Sequence, residues 1–263
     1  DMETDAWVDD EYYVGADGAM VKNDWVKTTA DEDVSDPEDD GDNWYYFGSN
    51  GKMYKEAAKK KVNGKYYFFN AHGQMLYEWI NNQKYRVSSS SDLVSGNGYT
   101  APGAASSSNG ILDDNANYQG SSQIWNMQYS NVVEDGSRAN GWYEIDGSAD
   151  TGEDGDTDWY YFDDGEAERA DAGKDFVTVD GDGADVFRAK IKINGKYFCF
   201  NEMGQMQTGL QYIGADHAFY FFDENGYMQT GKETNVEDDD DSYNFYFITK
   251  NGKNGQGQMG EKD

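Results

Sequence analysis

An all-β solenoid of stacked β-hairpins is the fold class that this 263-residue sequence predicts, and three observations predict it. First, an aromatic phrase recurs. Trp44-Tyr45-Tyr46-Phe47 with Gly51-Lys52-Met53 returns 22 residues later as Tyr66-Tyr67-Phe68-Phe69 with Gly73-Gln74-Met75. A fixed period of this length marks a repeat architecture, in which a unit buries its apolar face only against its neighbours. Second, aromatics make up 16% of the chain and tyrosine alone 21 residues, a composition suited to pleated strands. Third, glycine occurs 31 times against 2 prolines, so glycine makes the turns.

The N-terminal repeats span residues 1–87. Trp7, Tyr12-Tyr13-Val14 and Gly18-Ala19-Met20 form the first copy, with Glu11 where Trp44 stands in the second. Trp25 opens the second unit. Its arms are separated by Asp31 to Asp42, which holds eight acids in twelve residues and is expected as a solvated loop. Lys55 to Lys61 has the only helix-like composition and is read as the first arm of the third hairpin. Trp79-Ile80 opens a fourth unit, whose second arm is expected at Gln83 to Val87.

Residues 88–140 are rich in Ser, Gly, Asn and Asp and form a central irregular insertion, expected to dock on the repeats through Trp125 and Tyr129. The C-terminal repeats span 141–263. Gly141-Trp142-Tyr143 and Trp159-Tyr160-Tyr161-Phe162 flank a second acidic insertion, and a shortened turn follows at Gly165. After an irregular piece, the full phrase returns at Tyr197-Phe198-Cys199-Phe200 and at Phe219-Tyr220-Phe221-Phe222. A last copy is Phe245-Tyr246-Phe247-Ile248, for about eight units in all. Turns such as Ser49-Asn50-Gly51 carry the Asn-Gly signal of a tight hairpin, and the methionine after each glycine suits an irregular gap between hairpins.

Composition narrows the function classes. Fifty-one acids against 21 bases give a net charge of −30, which opposes nucleic acid and anionic lipid surfaces, so no nucleic-acid partner is expected. No apolar run reaches the roughly 18 residues of a membrane span, so no membrane insertion is expected. No signal peptide is read, and the abrupt start at Asp1 is expected of a mature product or an excised fragment. Cys199, the only cysteine, stands in an aromatic strand and is expected as a small buried hydrophobe. Two separated histidines, His72 and His217, give neither a zinc site nor a triad, and a rod of hairpins offers no deep pocket. No catalytic residue and no enzymatic activity are therefore expected. Asp154, Asp156 and Asp158, and Asp180, Asp182 and Asp185, are candidate Ca²⁺ ligands in short acidic loops. Neither group carries a full twelve-residue loop, and solvated charge is the competing reading. No other cofactor is expected.

Trp, a short arm, an aromatic run, a Gly turn and a Met together resemble the choline-binding or cell-wall-binding repeat of Gram-positive surface proteins. Glucan-binding repeats and the receptor-binding repeats of clostridial toxins are related to it. Asn43 to Glu78 and Gly195 to Gly231 match best. The resemblance implies a quaternary-ammonium cage between consecutive hairpins. Carried onto this sequence, one cage is Trp25, Trp44, Tyr66 and Met75, and another is Trp142, Trp159, Tyr197 and Met206. Ala57 and Leu210 stand where an opening Trp would be, which implies no cage in those units. Tyr212 and Phe219 look more like the glucan or toxin branch. The implied function is a secreted, cell-wall-associated binding module without catalysis, whose partner is a choline-substituted or other envelope glycan. Two alternatives are an α-glucan-binding module and a structural or adhesin spacer that contacts a protein through residues 88–140.

Overall fold

The computed structural model describes residues 2–34, 41–80, 128–146, 157–170, 187–201, 204–238, 241–249 and 254–262. The chain is all-β, and among the described residues a short 3-10 turn, Gly214–Asp216, is the only helical element. Eight antiparallel hairpins follow one another among the described residues. Unit 1 pairs β1 (Ala6–Val8) with β2 (Tyr12–Val14), and unit 2 pairs β3 (Asp24–Thr28) with β4 (Asn43–Phe47). Unit 3 pairs β5 (Ala57–Val62) with β6 (Lys65–Phe69), so the lysine-rich stretch is a strand, as its place in the phrase requires. Unit 4 pairs β7 (Glu78–Ile80) with β8 (Gln128–Ser130). Unit 5 pairs β9 (Gly141–Asp146) with β10 (Thr157–Asp163), followed by β11 (Glu166–Ala167). Unit 6 is β12 (Ala189–Ile193), β13 (Lys196–Phe200) and β14 (Met206–Gln207). Unit 7 is β15 (Gly209–Ile213) with β16 (Ala218–Phe222), and unit 8 is β17 (Gly231–Asp238), β18 (Asp241–Phe247) and β19 (Gly257–Lys262).

Two local expectations change. The arm that completes unit 4 is Gln128–Ser130, because Trp79 pairs with Tyr129. The expected arm at Gln83 to Val87 lies outside the described residues, as does Trp125. Tyr129 is buried, with its ring 5.0 Å from that of Trp79 and 5.2 Å from that of Phe162. The tight hairpin turn is also at the other end of the aromatic strand from Ser49-Asn50-Gly51. It is Asn63-Gly64 in unit 3 and Asn194-Gly195 in unit 6, with both residues of each pair at positive φ. That is the two-residue loop that Asn-Gly favours. The turns at Gly51, Gly73 and Gly226 instead bring the following methionine back onto the same strand, pairing Phe47 with Met53, Phe69 with Met75 and Phe222 with Met228.

This return places a joint between successive units. Gly51 has a φ of +82°, and a Cβ built on it would lie 2.7 Å from Met20 Sδ of the preceding unit. A side chain would displace the thioether, so the close approach needs glycine. The same contact joins Met2 to Gly18, Met53 to Gly73, Met75 to Gly136, Met206 to Gly226 and Met228 to Gly255. Arg138 and Ala167 take the methionine's place against Gly165 and Gly204. Backbone bonds accompany the joints. The amides of Met53, Met75, Arg138 and Met228 donate to the carbonyls of Glu11, Trp44, Tyr66 and Tyr197 in the preceding unit, at 2.9, 2.9, 2.9 and 3.0 Å.

Side-chain alternation then gives every unit two buried faces. Tyr46 and Trp25 of unit 2 face forward, and Tyr67 and Phe69 of unit 3 face back to meet them. Tyr13 and Trp7 meet Tyr45 and Phe47 one step earlier. Trp142 meets Phe198 and Phe200, and Cys199, fully buried, meets Tyr220 and Phe222. The core is thus divided among the junctions, which is the arrangement of a solenoid of hairpins.

Candidate functional site

Two cavities open at equivalent junctions, after units 2 and 5. The first, about 330 Å³, is walled by Trp25, Trp44, Tyr67 and Met75, with Lys65, Glu134 and Asp135 at its rim. The second, about 360 Å³, is walled by Trp142, Trp159, Phe198, Met206 and Tyr227, with Glu224 and Asn225 at its rim. The register makes them copies of one another. Trp25 pairs with Tyr46 and Trp142 with Tyr161, while Trp44 and Trp159 stand two residues earlier on the second arms.

In the first cavity the indole rings of Trp25 and Trp44 are perpendicular, with centroids 6.5 Å apart. Trp25 is held from below by Tyr67 at 5.0 Å and Phe69 at 5.8 Å. In the second, Trp142 rests on Phe198 at 4.7 Å and Phe200 at 5.9 Å. Trp159 is 41% exposed.

The structure brings Trp25, Trp44 and Met75 together, and likewise Trp142, Trp159 and Met206. It does not bring in Tyr66 or Tyr197. Both sit one residue away from the aromatic that lines the cavity, and a one-residue step along a strand reverses the face. Tyr66 turns forward to the next unit, with Lys59 Nζ 4.6 Å from its ring centroid. Tyr197 does the same, with Lys190 Nζ at 5.0 Å. Tyr67 and Phe198 take their places in the cavities.

The rim carboxylates were not expected either. Glu134 belongs to the turn that brings Gly136 against Met75. Its Oε1 accepts a bond from Lys27 Nζ at 2.7 Å, and its Oε2 one from Trp44 Nε1 at 3.2 Å. The Lys27 bond in particular holds the Glu134 carboxyl below the usual carboxylate range, against desolvation that works to raise it, and the Trp44 bond adds to the lowering. Glu224 occupies the matching turn before Gly226. Each cavity therefore combines π-faces with an adjacent carboxylate, which in the first is ion-paired with Lys27, whose Nζ lies 5.9 Å from the Trp44 centroid at the rim. That arrangement attracts a cation from both sides, since the faces of aromatic rings carry partial negative charge.

The acidic loops offer less. Asp154, Asp156, Asp180, Asp182 and Asp185 lie outside the described residues. Asp158 accepts a bond from Gln205 Nε2 at 3.1 Å. Among the described residues, three carboxylates do converge at Asp10, Asp31 and Asp33, with oxygens within 4.8 Å of one another at the surface. No helix among them is long and apolar enough to cross a membrane.

Among solved structures, the chain is similar to the modular autolysin LytC of Streptococcus pneumoniae, solved in complex with a synthetic peptidoglycan ligand. The identity is 18% over 99% of this chain and 47% of that one, with a TM-score of 0.34. It therefore spans about half the length of that protein. It is also similar to choline binding protein F of the same organism, at 20% identity over 96% and 78% of the two chains and a TM-score of 0.26. The choline-binding domain of CbpL, again from that organism, gives 14% identity, 98% and 99% coverage and a TM-score of 0.29. No curated protein matches the chain. The family profile for the choline-binding repeat matches residues 1–29, and that for the cell wall binding repeat matches 38–53 and 60–75. Trp25, Trp44, Tyr67 and Met75, the walls of the first cavity, all lie in those segments, and the same hairpin phrase continues to unit 8. Within residues 1–29, 38–53 and 60–75 the chain is therefore similar to the choline-binding and cell wall binding repeat families.

Proposed function

We propose that the chain attaches to the bacterial cell envelope without catalysing a reaction, by holding choline-like quaternary ammonium groups of an envelope glycan in the two open cavities among its described residues. The observation that carries this reading is that both cavities have one composition: two tryptophans, a third aromatic from the next hairpin, a methionine and a carboxylate. Such a site suits a cation that cannot donate hydrogen bonds, because its walls supply π-faces and charge rather than acceptors in fixed directions. Each good cation–π contact contributes about 0.5–2 kcal/mol, so one cavity alone binds weakly. Two cavities on one rod, meeting a polymer that repeats its ammonium groups, gain through avidity. Envelope attachment places the working protein outside the cytoplasm.

Retention on choline-agarose, with elution by free choline, tests the reading, and calorimetry with choline chloride counts the sites. Two weak sites are expected, one further weakened in Trp44→Ala and the other in Trp159→Ala. A folded protein that passes the resin and shows no heat of binding ends the choline reading. Retardation in a dextran or starch gel would then favour the α-glucan alternative.

A further inference from the structure

Unit 6 has the parts of a third cage, but a lysine stands in it. Lys190 pairs with Cys199, as Trp25 pairs with Tyr46 and Trp142 with Tyr161. It thus occupies the place of the opening tryptophan. Tyr197 stands two residues before Cys199, as Trp44 stands before Tyr46. Tyr220 comes back from unit 7 as Tyr67 does from unit 3, and Met228 packs on the same cluster. Into this frame Lys190 sends its ammonium. The Nζ lies 5.0 Å from the Tyr197 ring centroid and 4.1 Å from that of Tyr220, and 3.1 Å from Asp216 Oδ2. The Tyr220 hydroxyl donates to the same oxygen at 2.7 Å. The side chain of Lys190 is 18% exposed. Two aromatic faces, a carboxylate and a cation are thus all present, and the cation belongs to the chain.

We propose that Lys190 is an internal occupant of a cation cage formed by Tyr197, Tyr220 and Asp216, and that it sets how many ammonium groups the rod can take from outside. The cage is built, closed from within, and latent. Electrostatics supports the closure. Desolvation works against charge on Lys190, yet bonds to Tyr220 and Asp216 outweigh it and hold the ammonium above the usual lysine pKa. An external ammonium therefore meets a site already neutralised, and would have to displace a tethered competitor.

The inference rests on the proposed function only for the nature of the external ligand. Calorimetry with choline chloride on the full chain separates the two. Lys190→Ala empties the cage, and Lys190→Trp rebuilds the wall found at Trp25. Either change is expected to raise the number of choline sites from two to three. If the folded wild type binds two and both folded variants also bind two, the inference is overturned and the proposed function stands. If the wild type binds none and a variant binds one, the proposed function fails and the inference stands. A reading without ligand covers misfolded variants. In the wild type, acylation of Lys190 by a limiting active ester should run roughly threefold or more slower than that of the exposed Lys192 on the same strand, as for an amine held in an ion pair. Equal rates would remove the occupant from the cage.

Discussion

Units 2 and 3 make a direct comparison, because they share strand order, the glycine return turn and the joint yet differ in what fills the forward face. In unit 2, Trp25 and Trp44 leave a space beside Tyr67 that opens to solvent. In unit 3 the corresponding face is Phe68, and Arg138 covers it. The guanidinium lies 4.4 Å from the Phe68 centroid and donates to the carbonyls of Ala58 at 2.6 Å and Asp164 at 2.9 Å. Its side chain is 7% exposed. Unit 6 repeats the device with Lys190, and unit 7 uses an apolar residue, Leu210, paired with Phe221 and packed among Phe245 and Phe247. The repeat therefore has one geometry, which on the proposed function serves two uses. A cage left open can take a cation from solution. A cage filled by the chain's own side chain is a structural joint.

The largest effect should come from the filled side. Arg138→Ala leaves two partly buried carbonyls without their donor and strips the cover from Phe68. A loss of about 2–4 kcal/mol in denaturant unfolding is expected, from unsatisfied acceptors and the missing cation–π contact together. An unchanged midpoint would mean that Arg138 is not a joint. On the open side, Trp44→Ala and Trp159→Ala should each weaken their own site by roughly 3–30-fold while costing little stability. Loss of both sites in either single variant would show that the cavities are not independent.

A pH series separates the filled cages from one another. Asp216 sits in a desolvating position that would raise its pKa, but the Tyr220 and Lys190 bonds overcome this and leave it below the usual carboxylate value. A depressed carboxylate stabilises the fold above its unfolded pKa, and that stability is lost as pH falls through the folded value. Unit 6 should thus weaken on acidification below the ordinary carboxylate range. Lys190→Met should flatten that slope, which unfolding midpoints at several acidic pH values would show. The smallest effect is expected of Tyr66→Leu and Tyr197→Leu. Neither ring lines an open cavity, so choline affinity should change by less than about twofold, within the scatter of distant sites.

The repeat itself was legible in the sequence, since the period, the glycine turns and the aromatic runs all survive insertion. What was not legible was the facing of each aromatic. Four consecutive aromatics, as in Tyr66 to Phe69, carry no polar alternation, so nothing in the run says which residue looks forward and which back. The register supplied that, and it moved the third wall from Tyr66 to Tyr67 and from Tyr197 to Phe198. Arg138 and Glu134 were hidden for a different reason. They lie in a stretch whose Ser, Gly and Asn content reads as insertion, although Gly136-Ser137-Arg138 has the spacing of Gly51-Lys52-Met53. Lys190 could have been found by counting back from the Asn194-Gly195 turn, which pairs it with Cys199.

The joints carry one more consequence, and it concerns oxidants. Six of the eight use a methionine thioether set against a glycine that has no side chain. Conversion to the sulfoxide would make the sulfur a chiral centre and place a polar oxygen where a Cβ already has no room. Access differs sharply along the rod, for Met20 is 40% exposed and Met75 only 3%. Peroxide should therefore loosen the N-terminal joints first and the Met75 joint last, with the half-buried methionines between them.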